Sequence, residues 1–284
     1  MKKIYTLLFL IVFSFVMKAE VSVSEKSALV KLYNSTNGAN WTSKWDLNAP
    51  VSSWYGVGVQ EDKVVSLQLA NNNLVGVLPS EISNLVYLKK LNLYKNAISG
   101  MIPSSIGEMK SLETLNLSFN KLSGAIPASI CAATSLKNME LFMNDFSGNI
   151  PSEIGKLSNL ETLSLYNNGI EGQIPASLYE LKNLKVLLLN SNKITGTLSQ
   201  SVSNLTNIQQ LSLFDNKMNG QVPFDLEKLN NLKELNISYN QFSGLVSKDL
   251  SKLDVLNMTM VNDRGVAQVL KVSTDKNTAI VSEE

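Results

Sequence analysis

From Val64 to Lys252 the apolar residues keep a fixed spacing. Around residue 91 they are Leu88, Leu91, Leu93 and Ile98, with polar or variable residues between them and Asn96 in their midst. Side chains alternate across an extended chain, so this spacing predicts a short strand with Leu91 and Leu93 on one side and Asn92 and Tyr94 on the other. The stretch Leu91–Pro103 returns 24 residues later as Leu115–Pro127 and occurs 24 residues earlier as Leu67–Pro79. An asparagine closes each strand at Asn72, Asn96, Asn120, Asn144, Asn168, Asn192, Asn216 and Asn240, and a glycine follows four residues on, from Gly76 to Gly244. A constant period of this size predicts a solenoid in which each copy buries its apolar side against its neighbours. Successive strands about 4.8 Å apart would make an inner parallel sheet about 40 Å long over eight rungs. The asparagine column reads as structural, because an amide there can satisfy backbone groups left free where the strand turns away. Proline then ends the ladder and leads into a loose helical turn, with Ser199 and Ser247 in its place on two rungs, where the outer side is expected to loosen.

The flanks follow other patterns. Residues 1–19 combine Lys2 and Lys3 with an apolar run, Leu7–Met17, which predicts a secretory signal and an exported chain. The run is short for a membrane span, so an integral membrane protein is not expected. Residues 20–63 form a separate segment. Ser22 and Glu25 have capping-box spacing, Ala28, Leu29, Leu32 and Tyr33 make one apolar helix face, and Asn37-Gly38 ends it. Trp41, Trp45 and Trp54 follow. An open solenoid end exposes core, so these tryptophans read either as cap packing or as a carbohydrate-stacking site. Residues 64–252 hold the eight repeats, and residues 253–284 a degenerate ninth repeat (Met258, Met260, Asp263) with a hairpin expected between Val266–Ser273 and Thr278–Val281.

Asn37-Gly38-Ala39-Asn40-Trp41 and Ser53-Trp54-Tyr55-Gly56-Val57, together with the Gly-x-Ile-Pro endings at Gly100–Pro103, Gly148–Pro151 and Gly172–Pro175, resemble the plant-type leucine-rich-repeat family. The resemblance covers residues from about 25 to 255. It implies an α/β solenoid: a curved right-handed superhelix with a parallel concave β-sheet, an N-terminal helical cap and a C-terminal β cap. The plant cap carries two cysteines where this chain has Ser52 and Val59, and a cap without a disulfide is more similar to bacterial secreted members of the family. The resemblance implies a protein or peptide ligand.

Composition narrows the chemistry. The chain has no histidine and one cysteine, which removes imidazole bases, the histidine of a hydrolytic triad, a thiolate zinc site and any internal disulfide. Cys131 lies among small apolar neighbours in Ile-Cys-Ala-Ala and reads as a buried thiol. No catalytic residue, metal or cofactor is expected. Formal net charge is +1, and Arg264 is the single arginine, so there is no basic stripe for nucleic acid. Loss of Lys2, Lys3 and Lys18 with the signal would leave the remainder slightly acidic. Of the acidic residues, Glu140, Asp145, Glu171 and Asp215 fall near the concave side or its rim, where a glycosidase would need two carboxylates across a cleft.

Two sets of outward columns carry candidate function. One, beside the strands, alternates in charge through Lys89, Glu113, Lys137, Glu161 and Lys185 and reads as a self-neutralising edge. The other places Tyr94, Phe142, Tyr166 and Phe214 in one column and Phe119, Met143 and Tyr239 one residue later. Grouped exposed apolar side chains mark interaction surfaces, although each ring could instead pack on the next rung. The sequence therefore predicts an exported binding module that uses this concave aromatic track for a protein or peptide. Carbohydrate binding and a structural or adhesive surface role are the alternatives.

Overall fold

The computed structural model describes residues 20–256, 258–262 and 265–272. The expected signal at residues 1–19 and the hairpin arm Thr278–Val281 lie outside them, as does Asp263 of the ninth repeat.

Each repeat contributes an inner strand, an outer strand and a convex turn. The inner strands Lys63–Gln68, Lys90–Asn92, Thr114–Asn116, Asn138–Glu140, Thr162–Ser164, Val186–Leu188, Gln210–Ser212 and Glu234–Asn236 pair in parallel and in register, Leu91 opposite Leu115 and so on along the array. Val57–Gln60 closes the first edge antiparallel, making nine strands. The inward leucines, including Leu91, Leu93, Leu115, Leu163 and Leu187, are buried in a single core that runs the length of the solenoid. No leucine could bury its side chain within one 3-residue strand, so stacking and folding are one event.

A second, eight-stranded parallel sheet lies beyond the asparagine turn, from Val75–Val77 to Gln241–Ser243. The residues between asparagine and proline form this second set of strands, which the sequence pattern did not separate from the first. Their apolar member points inward (Ile98, Leu122, Phe146, Ile170) and the glycine after it has positive φ, 72–80° from Gly100 to Gly220. That region is cheap only for glycine. Convex 3₁₀ turns follow the prolines, as at Ser104–Glu108 after Pro103. Where serine replaces proline the turn is not loosened. Ser199 accepts a hydrogen bond from the Ser201 N–H, and Ser247 one from the Leu250 N–H at the start of a short helix, Lys248–Ser251.

The N-terminal cap is built on a helix at Val23–Ser35. Ser22 accepts from the Glu25 N–H at 3.3 Å and donates its hydroxyl to Glu25 Oε2 at 2.7 Å; Glu25 Oε1 then accepts from the Val64 N–H at 2.9 Å. A buried carboxylate thus joins the helix to the first repeat. Asn37, at φ 58°, turns the chain out of the helix. Trp41, Trp45 and Trp54 are at most 4% exposed, stack or meet edge to face at 4.8–4.9 Å, and donate their indole N–H groups to Thr36, Tyr55 and Ala49 carbonyls. Burial removes the carbohydrate-stacking reading of these rings. The C-terminal end pairs Thr259–Val261 with Ala267–Val269 antiparallel, with Met258 and Met260 buried beneath, and Asp254 accepts from the Ile237 N–H and the Ser238 hydroxyl.

Candidate functional site

The concave face begins with its support. Asn144 donates its Nδ2 amide to the Leu117 and Leu141 carbonyls, both at 3.0 Å, and accepts from the Leu122 N–H at 3.0 Å. Asn120 shares the Leu117 carbonyl at 2.9 Å and Asn168 shares that of Leu141 at 3.2 Å. The pattern repeats through Asn96, Asn192, Asn216 and Asn240, whose amide oxygens accept from Leu74, Ile170, Ile194 and Met218. Asn72 instead accepts from Ser43 and donates back to its carbonyl, fastening the cap. Each amide ties its rung to the one before, so the strand ends, and the residues just past them, are held at fixed spacing.

Those residues carry the aromatics. The position before each asparagine is left-handed: φ is 54° at Lys95, Phe119 and Met143, 51° at Asn167, 53° at Ser191, 54° at Asp215 and 57° at Tyr239. Asparagine and aspartate tolerate this conformation; phenylalanine, methionine and tyrosine do so at a cost. The two columns, separate in sequence, meet here. Tyr94 and Phe119 lie edge to face at 5.4 Å, Phe119 and Phe142 edge to face at 5.6 Å, and Phe142 and Tyr166 stack at 4.4 Å. Phe214 and Tyr239 form a second pair at 5.2 Å. Where the first column holds a buried serine, Ser118 or Ser238, the next residue supplies the ring. Met143 adds its thioether beside Phe142, where it accepts from the Asn167 amide at 2.8 Å. Phe119 and Tyr239 are 37% and 45% exposed, and the other rings are half-buried. Burial holds the Tyr166 phenol above its ordinary pKa, with the charges of Tyr94 and Glu140 adding to the effect.

The track is interrupted once. The rung of Val186–Leu188 has Asn190 and Ser191 in both aromatic places, and a cavity of about 470 Å³ opens there between Tyr166 and Phe214, over Leu188. Glu234 stands at its far side, with Leu253 and the 85%-exposed Val255 beyond. One sign of this gap is present in the sequence: Val186 and Leu188 are apolar in columns that elsewhere hold Thr162, Ser164, Gln210 and Ser212.

The acidic residues do not form a pair across a cleft. Glu140 closes an inner strand, half-buried, with the Asn116 amide donating to it; burial holds its carboxyl above the ordinary value despite that bond. Asp145 and Glu171 belong to the outer sheet, and Asp215 sits on a left-handed turn. The charged edge contains direct ion pairs, Lys137–Glu113 at 2.8 Å and Lys185–Glu161 at 2.6 Å. Cys131 is buried, and desolvation pushes its thiol up to about 11. Among the described residues no helix is long and apolar enough to cross a membrane.

Comparison with known proteins agrees with the repeat fold. Residues 62–146 match the leucine rich repeat family and residues 141–268 the leucine-rich repeat region family. The chain is similar to the ectodomain of the Arabidopsis thaliana receptor kinase GASSHO1/SCHENGEN3, solved with CASPARIAN STRIP INTEGRITY FACTOR 2: 40% identity, TM-score 0.61, covering 62% of this chain and 21% of that one. It is also similar to the plant peptide hormone receptor RGFR1 with RGF2, at 28% identity, TM-score 0.65, 74% of this chain and 32% of that one. PEPR1 with AtPEP1 gives 25% identity, TM-score 0.71, and 88% and 42%. The chain thus spans less than half the length of these receptor chains. A plant ice-binding protein, 24% identical, shares the fold over 89% of this chain and 88% of its own, with TM-score 0.68. No curated protein matches the chain at a significant level.

Proposed function

We propose that this leucine-rich-repeat solenoid is an exported, non-enzymatic binding module that recognises a protein or peptide along its concave aromatic track. One observation carries the reading: Tyr94, Phe119, Phe142 and Tyr166 form an unbroken run of rings on a sheet whose spacing the asparagine amides fix. Aromatic and methionine side chains concentrate at the centres of protein interfaces. A stiff sheet also loses little ordering entropy on binding. Phe119, Met143 and Tyr239 occupy left-handed backbone where asparagine would be cheaper, and strain retained at the exposed Phe119 and Tyr239 points to a role outside folding. The receptors solved with peptide partners lend support by likeness of fold. The lysine-rich start and cysteine-free cap support export and the bacterial secreted branch, with residues 1–19 as signal, 20–63 as cap, 64–252 as repeats and 253–284 as the second cap.

Carbohydrate is the weaker alternative, because Phe142 and Tyr166 cover a face of each other and Phe119 meets Phe142 edge to face, which leaves a sugar ring only the outer face of Tyr166 in that group. The test replaces Tyr94, Phe142, Tyr166 and Phe214 with alanine and compares partner capture with the wild type, with circular dichroism to show that both are folded. A partner lost only by the variant supports the reading. A partner kept by the variant and lost on convex-face substitution would transfer it to a structural or adhesive role.

A further inference from the structure

The gap in the ring track has its own chemistry. It begins at Tyr166, whose other side stacks on Phe142, runs past Phe214 over Leu188 and Leu211, and ends at Glu234 and Leu253. The single formally charged residue lining it is Glu234, and Lys233 on the flanking edge is not part of the lining. Gln210 donates its amide to Glu234 Oε2 at 2.6 Å, which steadies the carboxylate and leaves its other oxygen and the Gln210 carbonyl as acceptors. Along the outward strand positions from Thr114 to Asn236 only two charges occur, Glu140 and Glu234, and both are acidic. A volume of about 470 Å³ lies within the range of sites that enclose a ligand group.

We propose that this cavity is the specificity pocket for an arginine side chain of the bound peptide, a proposal that rests on the concave face being a peptide-binding surface. The aliphatic stem would lie along Leu188. The guanidinium would sit between the Tyr166 and Phe214 rings and donate to Glu234 and Gln210. A planar cation with five donors suits aromatic walls and several acceptors better than an ammonium does. The occupant is therefore a basic peptide segment, set against a lining whose sole charge is negative.

The test is a positional-scanning library of amidated decapeptides selected on the immobilised protein, followed by citrulline in place of arginine in the best sequence. Citrulline keeps the shape and removes the charge. The expected result is arginine enrichment at one position, a loss of about tenfold in affinity with citrulline, and a loss under about twofold in Glu234→Gln, where the charge has no partner. Asn190→Tyr, which puts a ring into the gap, should also remove the arginine preference. Thermal unfolding of both variants checks that they fold. Peptides selected without a basic preference, or citrulline binding as well as arginine to the wild type, overturn the pocket while leaving the aromatic track standing. Failure to select any peptide overturns both.

Discussion

Replacing Asn144 with alanine tests the scaffold that positions every candidate contact. The substitution removes four hydrogen-bonding partners of unequal consequence. The Leu117 and Leu141 carbonyls keep a second amide, from Asn120 and Asn168, and the Phe142 carbonyl keeps the Phe119 N–H. The Leu122 N–H has Asn144 Oδ1 as its partner at 3.0 Å in a buried position and loses it. An orphaned buried donor costs about 1–3 kcal/mol, and each shared amide bond adds about 0.5–1.5 kcal/mol. The orphaned donor counts for about 2 kcal/mol and the three shared bonds for about 0.5 kcal/mol each, the low end, because their carbonyls keep a partner. The expected loss is therefore about 3.5 kcal/mol, below the roughly 8 kcal/mol that four orphaned groups would cost. Urea unfolding followed by far-ultraviolet circular dichroism reads this as a fall in midpoint, and a reduced slope would show the array parting at that rung. A loss below about 1 kcal/mol would show that water replaces the amide, and the argument for a fixed rung spacing would fail.

Three further outcomes are expected. Met143→Asn should raise stability by about 1 kcal/mol, or about 2–4 °C in Tm, by relieving left-handed backbone at φ 54°, while weakening partner binding; a lower Tm would refute the claim of strain. Glu140→Gln should stabilise the protein at neutral pH. Because the folded-state pKa is raised, the folded protein holds the proton more tightly, so wild-type stability falls as pH rises from the ordinary carboxylate value through the folded one. The variant's advantage should therefore vanish on acidification below that window, as Tm against pH would show. Cys131, with its thiol pushed up to about 11, should resist a disulfide reagent at pH 8 until denaturant is added; immediate reaction in native buffer would contradict its burial.

The repeated strand was legible because leucine spacing and one glycine per turn leave few alternatives. The outer sheet was not, since Ala97–Gly100 or Gly169–Gly172 offers a single inward residue and no alternation long enough to count. The ring track was half legible. Its residues were visible in two columns, but their meeting depends on left-handed backbone at Phe119 and Tyr239, a conformation those residue types do not announce. The cavity was nearly hidden for the opposite reason: it opens where Asn190 interrupts the ring column, and the apolar Val186 and Leu188 were its one sign. Glu25 read as a cap residue, and its second bond, to Val64, lies 39 residues away, beyond any local pattern.

The shared carbonyls of the asparagine series make the rungs interchangeable parts. A carbonyl such as that of Leu117 accepts from its own rung's amide and from the next, whichever rung comes next. Excision of the 24 residues from Asn168 to Ser191 would preserve that arrangement and bring Phe214 beside Tyr166, giving one longer run of rings and no gap. Duplicating the same unit would widen the gap by a rung. Recombination between repeats can therefore adjust where a ligand is gripped, and where it is questioned, without designing a new surface.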